Sequence, residues 1–197
     1  MKSLKKISMW MFIFTAILVS SMVAKEISHA MSLVTYDVPF ARLTKDTQKH
    51  IACLAENIYF EARNEPIEGQ YAVAFVTMNR VKSPDFPNDI CSVVKQKTQV
   101  QSIGDKRIVC QFSWWCEPIP HRISTTNLLT ETDNKKYNEI VNLAINFYVN
   151  YERLEDPTQG ALFYHADYVR PNWRNLQKVT QIGRHIFYER KTNVVYN

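Results

Sequence analysis

One carboxylate borders an apolar helical face, a position suited to acid–base chemistry. Between positions 46 and 63, apolar residues recur at the spacing of one helix face: Ile51, Leu54, Ala55, Ile58, Tyr59 and Ala62. Glu61 borders this face, whereas Glu56 falls on the solvent side. A carboxylate at the rim of a core and near a helix C-terminus should hold its proton more tightly than an exposed one. We therefore predict that Glu61 is a general acid. The alternative is a rim ion pair with Arg63 or Arg80.

The elements that must position Glu61 are helices followed by strands. The spacing predicts a helix over 46–63, capped by Thr44 or Asp46 and ended by Pro66. A second helix over 67–82 is apolar nearly all round, which indicates a central buried helix. We expect a turn at 83–88, a short helix over 89–97, an irregular stretch over 98–131 and a helix over 133–152. Runs 161–165 and 181–189 read as strands that pair antiparallel. This order predicts an α+β fold.

The N-terminus has the organisation of an export signal. Lys2, Lys5 and Lys6 precede an uncharged apolar run over 7–24, and Ser28-His29-Ala30 follows it. This pattern predicts that residues 1–30 are a signal peptide or an N-terminal membrane anchor. Residues 31–43 then form an extended arm, and residues 44–197 the folded domain. The protein is therefore expected outside the cytoplasm, in the periplasm or cell envelope, or secreted.

The four cysteines are expected to form two disulfides. An even number of cysteines in an exported chain favours bridges over free thiols. The positions are Cys53, Cys91, Cys110 and Cys116, which allow three pairings. Their spacing contains no C-x-x-C pair, so a structural zinc cluster is disfavoured.

Composition excludes several classes of protein. The chain has 197 residues, of which 46% are hydrophobic, and it contains no visible repeat. This length favours a single cored domain. The net charge is +5, but the first 30 residues hold four of the lysines and a single acidic residue, Glu26. The remaining chain is nearly balanced, so we predict no nucleic-acid partner.

Seven short segments occur in an order that is typical of one family. They are AENIYFEARNEP at 55–66, EGQ at 68–70, VTMNRV at 76–81, SPDFPN at 83–88, CQFSW at 110–114, FYHA at 163–166 and IGRHIFY at 182–188. Together they resemble the SleB/CwlJ-type cell-wall hydrolase family over about residues 46–190. The resemblance implies a mainly helical, lysozyme-like or lytic-transglycosylase-like domain with a small antiparallel sheet. It also implies cleavage of peptidoglycan between N-acetylmuramic acid and N-acetylglucosamine, without a metal or other cofactor.

The resemblance and the helical pattern single out the same residue. The catalytic glutamate of the family is the first Glu of E-x-R-G-E, which falls on Glu61. Asn64 departs from the family glycine, although Asn tolerates a left-handed backbone. A lytic transglycosylase needs only this one carboxylate. The alternative is a muramidase-type hydrolase with a second carboxylate, for which Asp85, Asp89, Glu117 and Asp167 are the candidates.

Six polar and aromatic side chains are candidates for substrate contact. Aromatic faces stack on sugar rings, and amide or hydroxyl groups bond acetamido groups, although core packing is the commoner role of a single Trp. The candidates are Gln111, Ser113, Trp114, Tyr164, His165 and Trp173.

Two other classes of function stay open. His165, Asp167 and His185, with a glutamate, could form the zinc site of a cell-wall amidase or peptidase. The protein could also bind the wall without cleaving it, with Glu61 as a rim carboxylate only.

Overall fold

A computed structural model of the chain describes residues 40–102, 105–116 and 131–191. Its α-helices are α1 (Lys45–Ala62), α2 (Ile67–Lys82), α3 (Ile90–Val94) and α4 (Glu131–Asn150). Its strands are β1 (Lys97–Ser102), β2 (Asp105–Cys110), β3 (Phe163–Ala166), β4 (Leu176–Ile182) and β5 (His185–Arg190). Short 3-10 turns cover Phe40–Arg42, Ser113–Trp115 and Tyr151–Arg153. The predicted α+β fold, mainly helical with a small antiparallel sheet, is confirmed.

Helices α1, α2 and α4 enclose the main core. Ile51, Leu54 and Ile58 of α1 are fully buried, as the apolar pattern predicts. They belong to one cluster with residues of α2 and α4, such as Val73 and Phe147. Helix α1 begins where predicted, because the Thr44 hydroxyl accepts a hydrogen bond from the Thr47 N–H at 3.2 Å. This bond fixes the first turn of the helix.

Strands β3, β4 and β5 form an antiparallel sheet in the order β3-β5-β4. The predicted antiparallel pairing of the two C-terminal runs is confirmed by β3 and β5. However, the run 181–189 is not one strand, because a turn at Gly183 separates β4 from β5. Gly183 has φ +56°, and a Cβ there would clash with the Glu65 carboxylate. This close approach between distant segments is invisible in the local pattern.

A hairpin of β1 and β2 occupies part of the stretch that was expected to be irregular. Lys97 pairs with Cys110 and Gln101 with Lys106. The prediction of irregular structure over 98–131 was wrong for residues 98–102 and 105–110, where neither face of the hairpin is buried. Its apolar residues Val100, Ile108 and Val109 stay exposed, so no alternation marks the strands. The short helix expected over 89–97 ends earlier, at Val94.

The N-terminal predictions concern residues outside the described ranges. The signal peptide or anchor, including the apolar run 7–24, lies outside them. Of the arm expected over 31–43, only the end is described, and Phe40–Arg42 form a helical turn. Within the described ranges, no helix is both long and apolar enough to cross a membrane.

Two disulfides join the four cysteines, as predicted. Cys53 of α1 bonds Cys91 of α3, and Cys110 bonds Cys116. No cysteine is free. The first bridge spans 38 residues and the second spans 6. The long bridge ties α1 to α3, while the short one closes the segment after β2.

Removing the long bridge is expected to destabilise the protein more than removing the short one. A cross-link over a longer loop removes more entropy from the unfolded chain. The pair Cys53→Ser and Cys91→Ser should lower the free energy of unfolding by about 2–5 kcal/mol. The pair Cys110→Ser and Cys116→Ser is the matched control. Denaturant titration of both variants measures the difference, and an equal or larger loss in the control would contradict the expectation.

Candidate active site

Glu61 lies in the last turn of α1, where the helix meets the sheet. Its side chain is partly exposed, between the buried Tyr59 and Ala62. The Tyr164 hydroxyl, on β3, donates a hydrogen bond to Glu61 Oε2 at 3.0 Å. Strand β3 is an edge strand of its sheet. The structure therefore joins two of the predicted site residues that lie 103 positions apart in the chain.

Tyr164 is held in its protonated form. Burial, with a smaller contribution from the Glu61 charge, raises the pKa of the Tyr164 hydroxyl well above its ordinary value. Its ring packs edge-on against His185, with 5.0 Å between ring centroids. At neutral pH Tyr164 can donate a proton in a hydrogen bond but cannot act as a base. It is therefore suited to orient the Glu61 carboxyl.

Arg80, which the sequence offered only as a possible rim partner of Glu61, is a buried neighbour of the site. It lies on α2 with only 4% of its surface exposed, and its Nε donates to the Leu162 carbonyl at 2.8 Å. The guanidinium lies over the rings of Phe86 and Phe112, at 5.2 and 4.9 Å. Burial lowers the pKa of Arg80 to about 10, so it stays charged at neutral pH. The available signal was a charged residue in a helix that is apolar nearly all round.

The segment closed by the Cys110–Cys116 bridge packs against helix α1. Trp114 is 5% exposed, stacks on Phe60 at 4.5 Å between ring centroids, and donates from Nε1 to Asn57. Trp114 is thus packed into the core against Phe60, which directly precedes Glu61. Gln111 is partly exposed and Ser113 exposed on the same segment.

His165 and Trp173 lie on the other face of the sheet from Tyr164. Successive residues of a strand point to opposite faces, and His165 stacks on Tyr188, with Trp173 in edge contact with both rings. Trp173 is 42% exposed. These side chains line a cavity of about 500 Å³ together with Asp167 and Arg170. The structure does not bring them to the Glu61 carboxyl.

The histidines of the zinc alternative face opposite sides of the sheet. His165 pairs with Ile186, and its neighbour His185 therefore points the other way, onto Tyr164. Both ring nitrogens of His165 are engaged, with the Ala166 carbonyl and the Tyr188 hydroxyl. Across the described ranges, no three His, Cys, Asp or Glu side chains are grouped as metal ligands.

Three of the four candidate second carboxylates have other partners. Asp85 pairs with Arg190 at 3.1 Å, and Asp167 pairs with Arg184 at 3.3 Å. Asp89 caps α3 through the Ser92 N–H and contacts His50 at 2.7 Å. Although burial alone would raise it, the pKa of Asp89 is lowered by the hydrogen bonds from Ser92 and His50. The fourth candidate, Glu117, lies outside the described residues.

Comparison with known proteins places the chain in a family. The profile of the Cell Wall Hydrolase family matches residues 64–188. The chain belongs to this family. The matched span includes Arg80 and Tyr164, and it begins three residues after Glu61. The resemblance to cell-wall hydrolases that the ordered motifs predict is confirmed.

Several spore cortex-lytic enzymes are similar to the chain. A spore cortex-lytic enzyme of Oceanobacillus iheyensis is 33% identical over 143 residues, which cover 72% of this chain and 42% of that protein. The spore cortex-lytic enzyme of Bacillus subtilis is 32% identical over 141 residues, 71% of this chain and 37% of that protein. The chain thus aligns with less than half the length of these relatives. Among solved structures, the catalytic domain of Bacillus cereus SleB matches with a TM-score of 0.45 and 28% identity, covering 72% of this chain and 91% of that one.

Proposed function

We propose that this Cell Wall Hydrolase family member is a peptidoglycan glycosidase that cleaves the bond between N-acetylmuramic acid and N-acetylglucosamine. The observation that carries the proposal is the Glu61 carboxyl, bonded by the Tyr164 hydroxyl where helix α1 meets strand β3. A carboxyl that is oriented by a neutral donor can give up a proton and then remain as a stabilised carboxylate. The names of the similar spore cortex-lytic enzymes support the same class of substrate.

The chemistry that we propose is that of a lytic transglycosylase. Protonated Glu61 donates its proton to the glycosidic oxygen, and the bond from that oxygen to the muramyl C1 breaks. The muramyl C6 hydroxyl then attacks C1 and loses its proton to the Glu61 carboxylate. The product end is a 1,6-anhydro ring, and Glu61 returns to its starting state. No water is consumed and no second carboxylate is required.

The contacts of three of the four candidate second carboxylates give modest support to this route over a muramidase-type hydrolysis. Asp85 and Asp167 are each tied to an arginine, and Asp89 caps a helix. Releasing any of them to act as base or nucleophile would cost an ion pair or a cap. By contrast, Glu61 and Tyr164 are already in contact.

We further propose that Gln111 and Ser113 contact the glycan next to Glu61. They lie on the segment that Trp114 fixes to α1 through Phe60 and Asn57. Their amide and hydroxyl groups can bond acetamido groups of the substrate. Contact through His165 and Trp173 would lie on the opposite face of the sheet. The enzyme would act outside the cytoplasm, where residues 1–30 would direct it and where its disulfides would persist.

A digest of purified peptidoglycan tests the proposed bond. The full-length protein is incubated with insoluble glycan, with and without a chelator, and the soluble products are analysed by mass spectrometry. We expect muropeptides that end in a muramic residue, at a rate that the chelator does not change. Release of free stem peptides in a chelator-sensitive reaction would instead indicate the zinc amidase.

Tyr164→Phe is expected to reduce the rate of cleavage by about ten- to a hundredfold without changing the fold. The substitution removes only the hydroxyl that bonds Glu61 Oε2, and a hydrogen bond to a charged group contributes about 1.5–3 kcal/mol. Initial rates on soluble glycan fragments measure the loss. Tyr168→Phe is the matched control, since Tyr168 is 72% exposed. Equal rates in wild type and Tyr164→Phe would remove Tyr164 from the mechanism.

A further inference from the structure

Arg80 is the one buried lysine or arginine among the residues that the structure describes. Its Nε is satisfied by the Leu162 carbonyl, and its flat face by two phenylalanine rings. Its Nη1 is buried and has no hydrogen-bond partner in the described ranges. Burying a charge is unfavourable unless a compensating charge or bond is close. We therefore expect a negatively charged group close to the buried Arg80 guanidinium.

Of the side chains close to Arg80, Glu61 is the one that can supply this anion at neutral pH, because Tyr164 stays protonated. Arg80 bonds the carbonyl of Leu162, which directly precedes β3 and lies two residues before Tyr164. Residues two apart along an extended chain point to the same side. Burial lowers the pKa of Arg80, and the ionised forms of Tyr164 and Glu61 partly offset that effect. In turn, Arg80 opposes the rise in the pKa of Tyr164. Asp85, on the turn that carries Phe86, is already paired with Arg190. Arg80, Tyr164 and Glu61 thus form one electrostatic unit that joins α1, α2 and β3.

We propose that Arg80 is a positioning residue for the Glu61 reaction, holding the strand that carries Tyr164 to α2 and supplying a fixed positive charge for the Glu61 carboxylate. This role rests on the proposed function of Glu61 and deepens it. A single carboxyl that acts first as acid and then as base must be stable in both states. Tyr164 and Arg80 favour the carboxylate that follows proton donation. Arg80 itself makes no contact with the substrate in this proposal.

Loss of the Arg80 charge is expected to move the pH profile of cleavage. In Arg80→Met the carboxylate of Glu61 is less favoured, so Glu61 keeps its proton to higher pH. The basic limb of the pH–rate profile should move up by about one pH unit, the lower end of the effect of one nearby opposite charge. Lys82→Met is the matched control. It removes one positive charge from the same helix, but that side chain is 57% exposed and screened by water. Its profile should coincide with wild type, whereas a merely structural Arg80 would leave the limb in place in both variants.

A measurement on the folded wild-type chain keeps the proposal testable if Arg80→Met does not fold. The Arg80 Nε–H is buried and hydrogen-bonded, so its ¹⁵N resonance should be observable. We expect that resonance to shift as Glu61 titrates in wild type, and the shift to disappear in Glu61→Gln. A resonance that is constant with pH, or that moves equally in Glu61→Gln, overturns the proposal. Because this signal does not depend on cleavage, a failed proposal for Arg80 is distinguishable from an inactive enzyme.

Discussion

Glu61→Gln is expected to lower the rate of glycan cleavage by a factor of about 100 or more, the usual range for the loss of a general acid. The amide has nearly the same shape as the carboxyl, and its oxygen can still accept the bond from Tyr164. It has no acidic proton to give to the glycosidic oxygen. The melting temperature should stay close to that of wild type, since Glu61 is partly exposed and its chain packing is retained. Cleavage is measured as the release of soluble muropeptides from purified peptidoglycan.

Glu56→Gln is the matched control for this prediction. Glu56 lies on the same helix; it is partly buried rather than on the solvent side as predicted, and its charge acts on Tyr137 of α4. The same chemical change should leave its rate near that of wild type. Equal losses in the two variants, or near-normal turnover in Glu61→Gln, would show that Glu61 is not the acid. If Glu61→Gln is inactive but still binds the insoluble wall, a function limited to binding is excluded, provided that the wild type cleaves.

Helix α1 shows how far the sequence could predict the site. Its apolar spacing predicted the buried face, and the same spacing placed Glu61 at the rim. Both features depend only on the geometry of one helix. The Tyr164 hydroxyl bond depends instead on how a strand 103 residues away packs against that helix. Tyr164 could be proposed as a site residue, but its contact with Glu61 could not be derived.

The aromatic residues illustrate the same limit. Trp114 and Trp173 have the same side chain and both lie outside regular helix and strand, so the sequence treats them alike. In the structure Trp114 is buried against Phe60, while Trp173 stays 42% exposed over His165. Tertiary packing decides which of them presents a face to solvent. The local sequence contains no information about that difference in exposure.

The burial of Arg80 was missed for a related reason. An arginine near the end of a helix is usually a solvated residue, and its charge favours the helix C-terminus. Only the approach of Phe86, Phe112 and the Leu162 carbonyl makes it buried. These groups come from three separate segments of the chain. The sequence indicated that this helix is buried and offered Arg80 as a rim partner of Glu61, but it did not indicate that Arg80 itself is buried.

The products of the reaction are expected to end in 1,6-anhydro-N-acetylmuramic acid. If Glu61 works without a second carboxylate, the nucleophile is the C6 hydroxyl of the substrate and water does not enter the product. Each muropeptide should be about 18 mass units, one water, lighter than the corresponding hydrolysis product. It should also resist borohydride reduction, because no hemiacetal is present at that end. Mass spectrometry before and after reduction reads both properties in one digest.

The opposite outcome is equally informative about the site. Reducible muramic ends as the main product would reject the lyase chemistry and keep the glycosidase. Hydrolysis would then need a second carboxylate, either as a base that activates water or as a nucleophile on the sugar. The contacts of the candidate carboxylates indicate which of them is most easily released. Asp85 and Asp167 are held only by partly exposed ion pairs with arginines, which are weak in water. Asp89 also caps a helix and would be harder to release. Asp85→Asn, Asp167→Asn and Glu117→Gln, compared with Asp89→Asn, would therefore identify the second carboxylate by which variant loses hydrolysis while keeping its fold.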